Sequence, residues 1–163
     1  MGAGTDTVDI DAATAYTVHR AAQQGPGMLT LDFSPDGVTG SMNMSGKSTP
    51  VYVKYQGQLV SDNAGIDVPL GTLPLKEGYR STVMMFDSSI WKVRQMKVAV
   101  SGRENIRTQG GSFDAFVIDV KPEDGGKGNL KYWIAAKNPR VVRIDSEIPE
   151  SMGGGIITTE LSK

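Results

Sequence analysis

Apolar residues along the chain fall into short alternating runs separated by turn residues, and almost nowhere at helical spacing. Residues 28–34 (MLTLDFS) set the pattern. Leu29, Leu31 and Phe33 share one parity and Thr30, Asp32 and Ser34 the other, as a strand with one buried face requires. Pro35-Asp36-Gly37 fits a tight turn, because proline presets φ and glycine accepts a positive one. Residues 38–45 and 50–56 form the next predicted pair around Gly46-Lys47-Ser48, and residues 15–20 a first short strand before Gln23-Gln24-Gly25-Pro26-Gly27. A rhythm of about ten residues per strand and turn is that of an all-β sheet or barrel. Residues 79–87 and 91–102 read as a long hairpin around Ser88-Ser89. Trp91 and Val93 have one parity there and Met96, Val98 and Val100 the other, which predicts a bulge near Arg94 and Gln95. The C-terminal third is plainest: residues 113–121, 130–135, 141–148 and 156–161 are β-branched or aromatic runs bounded by glycine- or proline-rich turns.

Two stretches depart from this rhythm. Residues 1–14 are small and polar, with Asp6, Asp9 and Asp11 and little to bury, and predict a flexible lead-in to a single β domain over 15–163. Residues 59–78 hold too many breakers for a long helix, yet Ile66, Val68, Leu70, Leu73 and Leu75 call for burial. A loop or short-helix crossing packed over an end or open face of the sheet satisfies both facts. The predicted fold is therefore all-β, with about ten antiparallel strands in one strongly curved sheet, a half-barrel or incomplete barrel, and the crossing as its lid.

Composition narrows the functional classes. The chain has 163 residues, 39% hydrophobic and 21% charged, enough for a core without disulfide or metal staples. A formal net charge of -1 offers no basic field for a phosphate backbone, so nucleic acid is not an expected partner. Cysteine is absent, which removes disulfides, thiolate metal sites and cysteine nucleophiles together. No run approaches the roughly 18 apolar residues of a membrane span. Met1-Gly2-Ala3-Gly4 lacks the charged and apolar regions of a signal peptide, so the sequence reads either as cytoplasmic or as the mature part of an exported chain.

Candidate chemistry is sparse. Gly46-Lys47-Ser48 lacks the correctly spaced upstream glycine and the strand-to-helix context of a phosphate loop, and reads as a solvated turn. Gly125-Gly126-Lys127-Gly128 reads as a flexible loop, and Glu123 and Asp124 beside it lack the alternating ligands of a calcium loop. His19 is the sole histidine and has no Gly-x-Ser-x-Gly elbow to partner it. Asp145 and Glu147 share a strand parity, which an acid–base pair would need, but with no substrate-binding signature beside them they read as a solvated strand face. Asn43-Met44-Ser45 is a formal glycosylation sequon. The expected protein is thus not an enzyme, with no catalytic residue, metal or cofactor. Met84, Met85, Phe86, Trp91, Met96 and Trp133 lie on neighbouring predicted strands. They are either ordinary core or the lining of a cavity for an apolar ligand, with Met84, Phe86, Trp91, Met96 and Trp133 as the candidate binding residues.

Several short patterns carry a resemblance. Val100-Ser101-Gly102-Arg103-Glu104 followed by Gly110-Gly111-Ser112-Phe113-Asp114-Ala115-Phe116, then Tyr132-Trp133-Ile134-Ala135, Pro139-Arg140-Val141-Val142 and the closing segment from Gly153 to Leu161, resemble a bacterial domain of unknown function found in exported proteins. Pro74-Leu75-Lys76-Glu77-Gly78-Tyr79 resembles an earlier element of it. That domain is similar to periplasmic lipoprotein carriers and outer-membrane lipoprotein-sorting proteins. The resemblance implies a curved antiparallel half-barrel, a periplasmic or extracellular location, and a lipid or acyl chain on the concave face. It leaves open a structural or protein-interaction module with a fully packed core, and less favoured, a hydrolase.

Overall fold

A computed structural model describes residues 4–62, 65–148, 150 and 153–162. Pro149, which bounds the predicted run 141–148, and part of the breaker-rich stretch 59–78 lie outside the described residues. The chain is mostly β, 62% strand and 5% helical, and mostly antiparallel, with one sheet strongly curled into a half-barrel. The periodicity therefore gives the class correctly, but about twelve strands form two sheets rather than ten forming one.

The first sheet is a simple meander of β1 (Gly4–Ile10), β2 (Thr17–Gln24), β3 (Gly27–Ser34), β4 (Gly37–Met44) and β5 (Lys47–Lys54). The second runs β12-β11-β10-β9-β8-β7-β6, from β6 (Val60–Ser61), β7 (Arg80–Asp87), β8 (Lys92–Thr108), β9 (Gly111–Pro122), β10 (Leu130–Ala135), β11 (Val141–Glu147) and β12 (Ile156–Glu160). A hydrogen bond from Tyr55 N to Asp36 O (3.1 Å) fixes which residues of β5 face β4, and alternation then turns Pro50 outward. Proline has no N–H to offer a sixth strand. The next strand, β6, instead pairs in parallel with β7, Val60 opposite Met85 and Ser61 opposite Phe86.

Turn chemistry sets the hairpins. Between β4 and β5, Ser45 and Gly46 both have positive φ (51° and 85°), the geometry of a two-residue hairpin loop whose twist suits the flanking strands. The turn therefore falls one residue earlier than expected, and β5 starts at Lys47. Gly4–Ile10, inside the stretch read as a lead-in, is the edge strand β1, paired with β2 in register Thr5–Gln23 through Val8–Arg20. The crossing contains β6 and one short helix, α1 (Asp67–Thr72). Ile66 and Leu70 are buried as expected, whereas Val68 is 51% exposed.

Two compact units divide the chain: Met1–Pro69 with Met84–Val93, and Leu70–Val83 with Arg94–Lys163. In the first, Leu31, Val38, Val51, Leu59 and Phe86 are buried, and Leu29, Phe33, Val53, Tyr55, Met84, Trp91 and Val93 pack against them. In the second, register places Val98, Val120 and Leu130 on one sheet face, with Val100, Ile118 and Tyr132 beside them. Most of these are fully buried. The opposite face carries a smaller cluster of Ala115, Val117, Trp133, Ala135 and Val142, flanked by Ile106, Phe113 and Leu161. β8 does carry a register shift, but in its pairing with β9, between Val100 and Gly102. Trp91 is a turn residue rather than part of the strand, while Val93, on β8, packs with the cluster of the first unit and Met96 belongs to the second.

Candidate functional site

The first unit holds an open apolar groove built around Trp91. The turn between β7 and β8 is pinned from within: the Asp87 carboxylate accepts hydrogen bonds from Ser89 N (3.0 Å) and Ser89 Oγ (2.6 Å). It is pinned from outside by Asp62, whose carboxylate accepts from Ser88 N (2.9 Å) and Ser88 Oγ (2.7 Å). The chain leaves this turn through Trp91 at φ 54°, a conformation that a bulky residue adopts only at a cost of roughly 1–3 kcal/mol. The indole packs against Phe86, ring centroids 6.2 Å apart, and Phe86 makes an edge contact with Phe33 at 6.0 Å. Beyond the indole lies a cavity of about 290 Å³ lined chiefly by Met42, Met44, Val51, Val53 and Trp91. Met42 and Met44 share a parity on β4, opposite Leu29 and Gly27. The Met44 thioether lies where a Cβ on Gly27 would come within 2.8 Å of its sulfur, so Gly27 makes its room. Met44 is 49% exposed.

Of the five candidate binding residues, three come together. Met84, Phe86 and Trp91 belong to one cluster, but only Trp91 lines the groove; Phe86 is fully buried and Met84 packs against the same core. Met96 and Trp133 lie in the second unit, on opposite faces of its sheet. Met96 pairs with Pro122 and Trp133 with Val117, residues of opposite parity on β9. Trp133 is 6% exposed. Its indole N–H donates to Glu104, and the Arg143 guanidinium sits 4.7 Å from the ring centroid. No described residue of the 59–78 crossing lines the groove. The alternation in Ser41-Met42-Asn43-Met44-Ser45 carried the signal for Met42 and Met44, since both have the parity of Val38.

On β2, Arg20 is 3% exposed and ties three segments together. Its Nε and one terminal nitrogen make a bidentate pair with Asp6 (2.9 and 2.8 Å), while the other terminal nitrogen donates to Asp62 and to Ser61 Oγ (3.1 Å). Burial pushes the Asp62 carboxyl above the usual carboxylate range, against the opposing pull of Arg20 and Ser88. Guanidinium has the donors for several oxygens at once, and here all its partners are protein groups.

The polar candidates take up structural positions. His19 Nδ1 lies 2.7 Å from Asp32 Oδ1 across the β2–β3 pair. Asp145 and Glu147 do share a face, but neither is tuned as an acid. Burial tends to raise Asp145, yet hydrogen bonds from Arg143 (2.9 and 2.9 Å) and Thr158 (2.8 Å) hold it below its ordinary value. Glu147 is lowered by the backbone N–H groups of Asn129 and Gly128. A general acid needs a raised pKa near the working pH. Gly46-Lys47-Ser48 begins at a hairpin turn, and the Asn43 side chain accepts a hydrogen bond from Gly46 N (3.2 Å). Among the described residues, no group of three or more His, Asp or Glu side chains is placed to hold a metal ion. Among the described residues, no helix is long and apolar enough to cross a membrane.

Fold and site together define a two-sheet, mostly antiparallel β protein with one aromatic- and methionine-lined groove. A family model matches residues 1–161, and the chain belongs to that family, the proteins of unknown function DUF3108. No curated protein and no solved structure matches the chain.

Proposed function

We propose that this protein is a non-catalytic bacterial module of the extracytoplasmic space that holds part of an apolar ligand, a lipid or acyl chain, in the Trp91 groove. The observation that carries the reading is Trp91 itself: a bulky side chain in a left-handed turn conformation, held half-buried beside two methionines. Strained backbone persists where its surroundings over-determine it, and functional sites are where it collects. Thioether side chains adapt to ligands of varied shape. A volume of about 290 Å³ lies at the small end of ligand pockets, roughly 300–1,000 Å³, so the groove suits one end of a chain. Native mass spectrometry after mild purification, with lipid extraction, tests this, together with titration of a fluorescent fatty acid. Trp91→Ala and Met44→Glu should each weaken probe binding while leaving the strand spectrum unchanged. A clean apo mass with no probe binding would reject the carrier reading.

A second reading, a structural or protein-interaction module, is favoured by the burial of Phe86, Met96 and Trp133 in packed clusters. The absence of catalysis is tested by screening ester, peptide and glycoside substrates with His19→Ala and Asp145→Asn as controls. Activity lost in either variant would make the protein a hydrolase. The extracytoplasmic location rests on the resemblance to exported domains, and a signal peptide or lipobox encoded upstream in the gene is its check.

A further inference from the structure

The second unit presents a strand edge, β12, that among the described residues has no proline and no bulge and carries a single charged residue, Glu160. Leu161 N donates to Val142 O (2.9 Å) and Ile148 N to Gly155 O (2.9 Å). These two bonds fix the phase of β12 against β11. Backbone groups alternate in direction along an antiparallel strand, so Gly155, Ile157, Thr159 and Leu161 face β11, while the N–H and C=O groups of Ile156, Thr158 and Glu160 point outward. β12 is the last strand of its sheet. Natural edges are blunted by proline, by charge, by bulges or by brevity. The other edges of this chain follow that rule: β5 turns Pro50 outward, β1 carries Asp6 and Asp9 with a register shift after Asp9, and β6 is two residues long. β12 is Ile-Ile-Thr-Thr-Glu in regular register, with Ile156 68% and Ile157 44% exposed.

Charge around this edge says what would cover it. Asp145 is neutralised by a bidentate pair with Arg143, and Asp119 has Lys131 at 3.8 Å. Glu147, opposite Ile156 in register, takes its hydrogen bonds from the neutral N–H groups of Gly128 and Asn129. Glu160 has, among the described residues, only Arg143 at 3.9 Å, a guanidinium already paired with Asp145. Two carboxylates thus flank the outward-facing row at its ends. Beside Ile156 lies an open hollow of about 440 Å³, lined by Lys131, Asp145 and Glu147 among others, with room for a side chain from an added strand.

We propose that β12 is a docking edge for an extended segment of a partner protein, added antiparallel to it, with a basic residue opposite Glu160 and an apolar residue opposite Ile156. Main-chain hydrogen bonds would supply the affinity and the alternate side chains the specificity, as in other strand-addition sites. This inference does not rest on the Trp91 groove, and the two can fail separately.

The test uses the full chain and a capped peptide, Arg-Thr-Val-Val-Ile, whose first, third and fifth residues would face Glu160, Thr158 and Ile156. Amide exchange followed by nuclear magnetic resonance should show slowing at Ile156, Thr158 and Glu160. A peptide with the same side chains but N-methylated at its first, third and fifth residues should bind about tenfold more weakly or worse, since strand addition depends on those N–H groups. Replacing the peptide's arginine by glutamate should weaken binding, and Glu160→Gln should shrink that difference. Ile156→Lys, at an exposed position, should block docking with the strand spectrum preserved. Equal binding of the N-methylated peptide, slowing at Lys47–Lys54 instead, or no response at about 1 mM peptide, the weak limit of specific binding, would overturn the proposal. So would concentration-dependent slowing at the same three amides without peptide, which would make the occupant a second copy of the chain.

Discussion

Replacing Arg20 by methionine keeps most of the side chain's volume and removes the guanidinium on which Asp6, Ser61 and Asp62 converge. The loss is unequal among them. Asp6 is 30% exposed and regains water, whereas Asp62, 13% exposed, does not. Breaking a buried ion pair by removing one partner costs about 3–5 kcal/mol, chiefly as the penalty of the charge left behind. Asp62 keeps its two hydrogen bonds from Ser88, so the expected loss is at the lower end, about 3 kcal/mol at pH 7. Each compact unit carries one tryptophan, Trp91 in the first and Trp133 in the second, so urea unfolding in a Trp133→Phe background reports on the unit that holds Arg20. The midpoint should fall by about 1.5 M if the m-value is about 2 kcal/mol/M. The pH dependence is the sharper test. Burial already raises Asp62, and losing Arg20 removes the main influence that lowers it. A raised carboxyl binds its proton more tightly in the folded state than in the unfolded, so folding gains stability as pH falls through the folded pKa. The deficit of Arg20→Met should therefore be largest near neutrality and shrink on acidification toward the ordinary carboxylate range. A midpoint shift under about 0.3 M at pH 7, or a deficit that stays constant or grows on acidification, would refute the reasoning.

Three further outcomes are expected. Gly40→Ala should destabilise the first unit by more than about 1 kcal/mol, read from the Trp91 unfolding midpoint, because Gly40 has φ 154° and a Cβ there would lie 2.0 Å from Thr30 O. Glu104→Ala leaves the buried Trp133 indole N–H without its acceptor and should cost the second unit about 1–3 kcal/mol, with a changed Trp133 emission in the native state. Asp145 has a depressed pKa, so its contribution is present above the ordinary carboxylate value and is lost as pH falls through the lowered folded value. Asp145→Asn should accordingly flatten the acid limb of the Trp133-detected stability profile, with a deficit that, like that of Arg20→Met, is largest near neutrality.

The strands that periodicity found are those with a dry face and a wet one. β3 alternates along its length, and β10 and the starts of β11 and β12 fall where the β-branched runs predict. β1 was illegible because Thr5, Asp6 and Thr7 are all exposed: an edge strand with little apolar face leaves no alternation to read. The Ser45-Gly46 turn was displaced in the reading because serine rarely takes positive φ and gives no signal of its own. Sheet number was hidden for a related reason. The outward direction of Pro50 depends on the hydrogen-bonding phase of β5, which strand parity alone does not supply. At the candidate site, Trp91 was identifiable as an aromatic beside methionines. That Met96 and Trp133 point to opposite faces follows from pairing register, a long-range property.

The first unit is assembled from two separated stretches of chain, and this sets the order in which it can be completed during synthesis. When residues up to Pro69 have emerged from a ribosome, all five strands of the first sheet are available, but Met84, Phe86 and Trp91 are still to come. At roughly 5–20 residues per second, about 1–5 s separate the emergence of Pro69 from that of Val93. Through that interval Leu31, Val38 and Val51 lack Phe86 and Trp91, which pack with them in the finished protein. A nascent meander waiting for its plug is an aggregation hazard and a chaperone substrate. A chain truncated after Pro69 would remain in that state permanently, while one ending just past Val93 would possess every residue of the first unit.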